Sequence, residues 1–162
     1  MKLITRSLVL SLACLGLAAI LMAPAFAQGD SQVGVWKLNV AKSKYSPGPA
    51  PASATTTIVA DGAGTKVSVD QTQADGTARQ WGFTGSYDGK DSPMTGQNPD
   101  ADMVARTRVD ANTIQTIAKK DGKVTTTQQS AVSTDGKTRT VTTTGMNASG
   151  AKVSNVAVYD KQ

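Results

Sequence analysis

The chain has 162 residues and a net charge of +5, contains neither histidine nor glutamate, and has a single cysteine, Cys14. These absences exclude the usual general base, the commonest zinc and copper ligands, and every nucleophile that histidine activates. The basic excess is small and spread along the chain, so it indicates a soluble protein and gives no sign of a nucleic-acid interface.

Residues 1–27 have the pattern of a secretory signal peptide. Lys2 and Arg6 precede or begin an apolar stretch that extends to Met22, and an A-x-A cleavage site ends at Ala27. We therefore expect cleavage after Ala27, a periplasmic or secreted protein, and one domain over 28–162. A membrane anchor is the alternative, although the apolar stretch is short for one. No cysteine follows the cleavage site, so the exported domain has to be stable without disulfides.

The first strand signal after the leader covers 33–40, where Trp36 and Leu38 alternate with polar residues. Leu38 is the only leucine after the leader. Residues 41–53 contain three prolines and a glycine, which predict an extended loop. This loop is either a plain crossover or a lid over one end of the fold.

Beyond this loop, runs rich in Thr and Val alternate with tight-turn signals, mostly Asp-Gly. Thr and Val favour half-buried strands, and Asp-Gly pairs favour hairpin turns. Residues 92–102 contain Pro93 and Pro99 and predict a second long loop. The predicted strands are 33–40, 54–60, 65–73, 77–87, 103–109, 113–119, 123–133, 137–144 and 152–159.

Strands that follow one another through tight turns must protect their edges. Closing an all-β, antiparallel up-and-down meander of about 8–10 strands into a barrel removes the edges altogether. A two-sheet β-sandwich is the alternative.

The strand predicted over 77–87 has the richest aromatic face, with Arg79, Trp81, Phe83 and Tyr87 on one side. Large apolar residues are scarce elsewhere, whereas a filled small barrel needs bulky inward side chains. The interior is therefore either partly empty, with this face as a ligand-contacting wall, or tightly packed around this face as a core.

Arg106 and Arg108 share a strand face with Val104, and guanidinium groups bind carboxylates and phosphates well. A solvated face explains the two arginines equally well. The candidate ligand-binding residues are Arg79, Trp81, Phe83, Tyr87, Arg106 and Arg108.

Four aspartates, Asp88, Asp91, Asp100 and Asp102, are the candidates for metal or acid chemistry. A calcium loop needs ligands at several fixed offsets and a closing acid, which this run lacks. Asp100 and Asp102 have the spacing of a carboxylate pair for glycoside chemistry, but nothing else supports an active site. We expect no metal, no cofactor and no catalytic residue. An enzyme would need Asp, Tyr, Lys and Ser side chains to converge in one pocket.

Gly34-Val35-Trp36 resembles the G-x-W signature of lipocalins and related fatty-acid-binding proteins. The ending Val158-Tyr159-Asp160-Lys161 is similar to the closing strand of the fatty-acid-binding branch. The resemblance implies a lipocalin-like, or calycin, β-barrel with Trp36 as a structural plug at one end. The chain also resembles a family of exported bacterial proteins.

The chain departs from the fatty-acid-binding pattern in two places. That branch has a helical pair after its first strand, where the prolines of 47–51 forbid one here. Its closing strand has an arginine two residues before the tyrosine, and this chain has Ala157 there. The anion-binding residues of the branch therefore cannot be transferred. The usual lipocalin disulfides are absent too.

Our first hypothesis is an exported, non-enzymatic, lipocalin-like protein that binds a small amphipathic or hydrophobic ligand. The alternative is an envelope interaction or structural protein that acts through its surface and its proline-containing loops. That alternative predicts a solid core and an exposed apolar patch near Tyr45 or Met94. Neither a nucleic-acid partner nor stable membrane insertion after cleavage is expected. The sequence does not define the ligand, the protein partners or the oligomeric state.

Overall fold

The computed structural model describes residues 29–162, so the predicted signal peptide lies outside the described residues. Within this range, no helix is long and apolar enough to cross a membrane. A single-turn 3₁₀ helix (Val40–Lys42) follows the first strand. The strands are β1 (Gly34–Leu38), β2 (Ser53–Asp61), β3 (Gly64–Thr72), β4 (Ala78–Ser86), β5 (Asp88–Gly96), β6 (Met103–Arg108), β7 (Thr113–Lys120), β8 (Lys123–Val132), β9 (Thr138–Met146) and β10 (Lys152–Lys161).

These strands form a closed barrel in which each one pairs antiparallel with its neighbours in sequence. β1 and β10 close it, with Trp36 opposite Lys161 and Leu38 opposite Tyr159. No strand edge is left open in the described part of the chain, which removes the template for edge-to-edge aggregation. The predicted all-β meander closed into a barrel is confirmed, and the β-sandwich alternative is wrong.

Strand bounds agree with the sequence prediction to within about two residues for every strand except β5. The turns explain this agreement. The glycine of each predicted Asp-Gly turn has a φ between 56° and 85°, a conformation that side chains other than glycine rarely adopt. In the turn after β3, the Asp75 carboxylate accepts a hydrogen bond from the Thr77 amide at 2.9 Å. Hydrogen bonds from Thr77 lower the pKa of Asp75, and the weaker effect of burial opposes this shift.

The prediction of a long loop over 92–102 is wrong for residues 92–96, because β5 continues through Pro93 to Gly96, and only the shorter connection over 97–102 is a loop. The Met94 amide donates to Asp102 on the β6 side. Amides of successive strand residues point in opposite directions, so the missing N–H of Pro93 is on the β4 side. The β4–β5 ladder pairs only Trp81–Phe83 with Met94–Gly96. Met94 is the last paired residue on the side of Pro93, so Pro93 itself lies outside the ladder. The proline therefore removes no ladder hydrogen bond.

One end of the barrel is closed by the floor segment, residues 30–33, which precedes β1. The Val33 amide donates to the Asp30 carbonyl at 2.9 Å, which makes the segment a tight turn. Trp36 lies directly above it, is 0% exposed, and donates its Nε1–H to the Gln32 carbonyl at 2.8 Å. Around the indole pack Ile58, Val67 and Val132.

The other end of the barrel is open, and the proline loop over 43–52 lies at its rim. Lys44 and Val156 exchange two backbone hydrogen bonds of 2.8 Å, and the Ser154 amide donates to the Ser46 carbonyl at 2.7 Å. These bonds attach the first part of the loop to β10. The loop is thus fixed along one side of the opening.

The two tryptophans should contribute differently to stability. We expect Trp36→Ala to lower the free energy of unfolding by about 3–5 kcal/mol, because the substitution empties a fully buried site and leaves the Gln32 carbonyl unpaired. Trp81→Ala should cost markedly less, because Trp81 is only half-buried. Urea unfolding followed by circular dichroism measures both. Equal losses would contradict this assignment.

Candidate functional site

The barrel encloses a cavity of about 450 Å³. This volume lies within the range of about 300–1,000 Å³ that is typical of small-molecule sites. At the open end, Pro47, Pro49 and Pro51 border the cavity on one side and Asn98 to Asp100 border it on the other. The interior is therefore partly empty, and the tightly packed alternative does not describe it.

The apolar wall of the cavity comes mainly from neighbouring strands on one side of the barrel. Trp81 and Phe83 of β4 lie beside Val67 and Val69 of β3, and Met94 of β5 continues the same surface. The other strands add both apolar and polar side chains to the lining, so the cavity suits a molecule with both apolar and polar parts. The polar lining includes Thr56, Thr116, Thr126, Gln128 and Thr143.

Arg106 points into the lower part of the cavity and is only 3% exposed. Its Nη1 donates to Thr65 Oγ1 at 2.6 Å, and its Nη2 donates weakly to Tyr87 Oη at 3.4 Å. The guanidinium also lies 4.5 Å from the Tyr87 ring centre and 5.3 Å from that of Phe83. Its Nε has no hydrogen-bond partner.

The charge of Arg106 is therefore balanced only in part. Burial lowers the pKa of Arg106, and the neighbouring Tyr87 and Asp30 oppose this shift without cancelling it. A buried charge without a matching counter-ion is costly unless something else binds it. An anion in the cavity would supply the missing partner.

Arg139 of β9 is a second cation at the same depth. It stands directly opposite Tyr159 of β10 in the strand register, and its guanidinium lies 5.6 Å from that ring centre. Its Nε donates to Ser130 Oγ at 2.7 Å. Burial lowers the pKa of Arg139 to about 10. Burial also raises the pKa of Tyr159, so its hydroxyl remains a donor at neutral pH.

Below these arginines, Asp30 of the floor segment joins Tyr87 and Arg108. Tyr87 donates its hydroxyl to Asp30 Oδ2 at 2.5 Å, and Arg108 forms an ion pair with the same oxygen at 2.9 Å. Arg108 also stacks on Tyr87, 4.2 Å from the ring centre. Burial raises the pKa of Asp30, but hydrogen bonds from Tyr87, the Gln32 amide and Arg108 together outweigh it and lower the pKa.

The structure brings most of the predicted binding residues to one cavity. Arg79, Trp81, Phe83 and Arg106 line it, with Arg79 nearer the open end. Tyr87 lies beneath Arg106 as a stacking partner. Arg108 differs from the rest, because its charge is taken by Asp30 at the closed end. Whether any of these residues binds a ligand stays a prediction.

Sequence reasoning missed Arg139, Ser130 and the floor segment. A signal for Arg139 was present, because it shares a strand face with Val141 while the opposite face is a row of threonines. The closing strand lacks the arginine of the fatty-acid-binding pattern at Ala157. The register now places Arg139, from the adjacent strand, next to the closing tyrosine Tyr159.

The four candidate aspartates do not converge. Asp91 forms an ion pair with Lys119 at 2.7 Å, and Asp102 accepts from the Asp121 amide at 2.9 Å. Asp100 borders the cavity and accepts from the Ala148 amide at 3.0 Å. Over residues 29–162, no group of three or more acidic side chains is placed to hold a metal ion.

Comparison with known proteins adds no family assignment. No protein-family model matches the chain, and no curated protein matches it. The lipocalin resemblance thus rests on the short motifs and on the ten-stranded barrel.

The Asp30 carboxylate should make stability depend on acid. Its pKa is about 3.9 in an unfolded chain and lower in the folded protein, so its contribution is present above pH ~4 and disappears as pH falls through the folded value. We expect Asp30→Asn to cost about 1–3 kcal/mol at pH 7 and much less near pH 2.

Urea unfolding at several pH values measures this difference. Asp70→Asn, at an exposed position of β3, is the matched control and should leave the pH profile unchanged. A difference between Asp30→Asn and the natural protein that stays constant down to pH 2 would contradict the prediction.

Proposed function

We propose that this protein is an exported, non-enzymatic, lipocalin-like barrel that binds a small amphipathic ligand whose acidic group faces Arg106 and Arg139. The observation that carries the proposal is the buried guanidinium of Arg106, which lines the cavity and donates only to the hydroxyl oxygens of Thr65 and Tyr87, with no carboxylate partner among residues 29–162. A ligand carboxylate or phosphate would accept from this group and from Arg139.

The charge distribution of the cavity favours an anion. Arg79, Arg106 and Arg139 line it, and in the described range the only acid among the lining residues is Asp100 at the opening. Charges act strongly in a poorly solvated interior, so the excess of cations attracts an anionic group to its lower part. The wall that Trp81 and Phe83 form accommodates the apolar part of the same molecule.

The lipocalin resemblance supports this proposal indirectly. Arg139 and Tyr159 supply, from neighbouring strands, the combination of arginine and tyrosine that the fatty-acid-binding branch has within its closing strand. The fold alone does not determine function, so the argument rests on the side chains of the cavity.

The envelope interaction protein is less well supported. It requires a solid core and an exposed apolar patch near Tyr45 or Met94. Instead, both side chains are half-buried and line the cavity. The exposed large apolar residues, such as Val59, Val109 and Val124, lie on different strands and connections of the barrel.

A pair of ligands that differ only in charge tests the proposal. We expect dodecanoate to bind at least about tenfold more tightly than dodecanol at pH 7, because a hydrogen bond to a charged group contributes about 1.5–3 kcal/mol. Isothermal titration calorimetry measures both affinities, and native mass spectrometry of the chain from residue 28 onward checks the stoichiometry.

Arg106→Met should abolish most of this preference. Lys66→Met, which removes a cation from the exposed face of β3, is the matched control and should retain it. Failure of the natural protein to bind either ligand, or equal affinity for the two, would refute the proposal.

Substitution of Arg106 should also affect ligand binding and stability in opposite directions. Replacing an uncompensated buried charge with an apolar side chain of similar length is often neutral or stabilising. We expect Arg106→Met to leave the free energy of unfolding of the empty protein unchanged, or to raise it by up to about 2 kcal/mol. The same variant should lose the increase in Tm that dodecanoate gives the natural protein.

Thermal unfolding with and without dodecanoate measures both effects. If the unliganded Arg106→Met variant lost more than about 2 kcal/mol in free energy of unfolding, Arg106 would instead be a structural residue. A loss of that size is typical when a buried hydrogen-bond network is broken.

A further inference from the structure

We propose that the floor segment positions both cavity arginines through two hydroxyl groups, and thereby sets the preference of the cavity for anionic over neutral ligands. This inference rests on the proposed function. It assigns a binding role to Asp30 and Gln32, which lie outside the cavity, and to Ser130 and Tyr87, which connect them to the arginines.

The first connection runs from Gln32 to Arg139. Gln32 is 0% exposed, and its Oε1 accepts from Ser130 Oγ at 2.9 Å. A serine hydroxyl has one proton to donate, and this contact uses it. The oxygen of Ser130 is then left to accept, which it does from Arg139 Nε at 2.7 Å.

The second connection runs from Asp30 to Arg106 and has the same polarity. Tyr87 donates its only hydroxyl proton to Asp30 Oδ2 at 2.5 Å. Its oxygen therefore presents lone pairs to Arg106 Nη2, which lies 3.4 Å away, and its ring supports the same guanidinium at 4.5 Å. Burial, followed by the hydrogen bond to Asp30, raises the pKa of Tyr87, so the proton stays on the hydroxyl at neutral pH.

In both connections, an acceptor on the floor segment fixes the direction of a hydroxyl group. Without Gln32 or Asp30, the hydroxyl proton would be free to rotate towards the arginine. The O–H and the guanidinium N–H would then face each other as two donors, which is a repulsive contact. Arg139 would then lose the serine acceptor of its Nε, and Arg106 would keep Thr65 but lose the acceptor of its Nη2, so both guanidinium groups would be less firmly oriented. A carboxylate needs oriented N–H groups, whereas an alcohol head group depends on them much less.

The floor segment is itself held firmly enough for this task. Gln32 Nε2 donates to the Asn112 carbonyl at 2.8 Å, and the Gln32 carbonyl accepts from Trp36. Asp30 Oδ1 accepts from the Gln32 amide at 3.0 Å, which joins the two connections to each other. The segment can thus transmit one geometry to both arginines.

The test measures a selectivity, because a purely structural defect weakens binding of charged and neutral ligands alike. We expect Ser130→Ala and Tyr87→Phe each to reduce the ratio of dodecanoate to dodecanol affinity by about five- to tenfold, the usual worth of one hydrogen bond. Dodecanol affinity should change less than twofold. Ser130→Thr keeps the hydroxyl and should restore most of the ratio.

Gln129→Ala is the matched control, because Gln129 adjoins Ser130 on β8 but is exposed on the outer face. Unchanged ratios in Ser130→Ala and Tyr87→Phe would overturn the inference, provided that the natural protein prefers dodecanoate. A natural protein without that preference would refute the proposed function itself. If Ser130→Ala does not fold, Tyr87→Phe, which keeps the ring and its stacking, decides the outcome alone.

Discussion

The interior of this barrel is governed by a guanidinium group that has no carboxylate. Arg106 is buried, donates one strong hydrogen bond to Thr65 and contacts two aromatic rings. Arg139, on the opposite side, likewise donates to a hydroxyl oxygen, that of Ser130, and not to a carboxylate. The nearest carboxylate, Asp30, is already paired with Arg108 and Tyr87. Under the proposed function, a bound anion would lower the electrostatic energy of these incompletely paired arginines.

The fold was largely predictable because its determinants are local. Alternating Thr and Val residues specify strands, and the Asp-Gly pairs place the turns, so the meander follows from short-range chemistry. β5 was the exception. Pro93 predicts a loop, and only the neighbouring strands show that its missing N–H lies beyond the end of the β4–β5 ladder. A proline's compatibility with a sheet depends on this third strand, which local sequence does not describe.

The site was predictable only where one strand carries it. The aromatic face of β4 and the inward position of Arg106 follow from alternation along a single strand. The pairing of Arg139 with Tyr159 depends on the register between β9 and β10, and nothing local to either strand specifies that register. The floor segment has no strand pattern at all. Its contacts with Ser130 and Asn112 join residues 98 and 80 positions apart in the chain, so they appear only once the barrel is closed.

The pairing of the first strand with the last has a consequence for the order of assembly. β2 to β10 can each pair with a strand that has just been made, at little cost in chain entropy. β1 can pair with β2 at once, but its other edge has to wait for the end of β10 and for Gln162, whose amide donates to the Val35 carbonyl. A chain that is made from its N-terminus therefore remains an open sheet until β10 is complete. A chain truncated before Tyr159 would lack all three residue pairs between β1 and β10 and the packing of Tyr159 against the Trp36 cluster, so the barrel could not close.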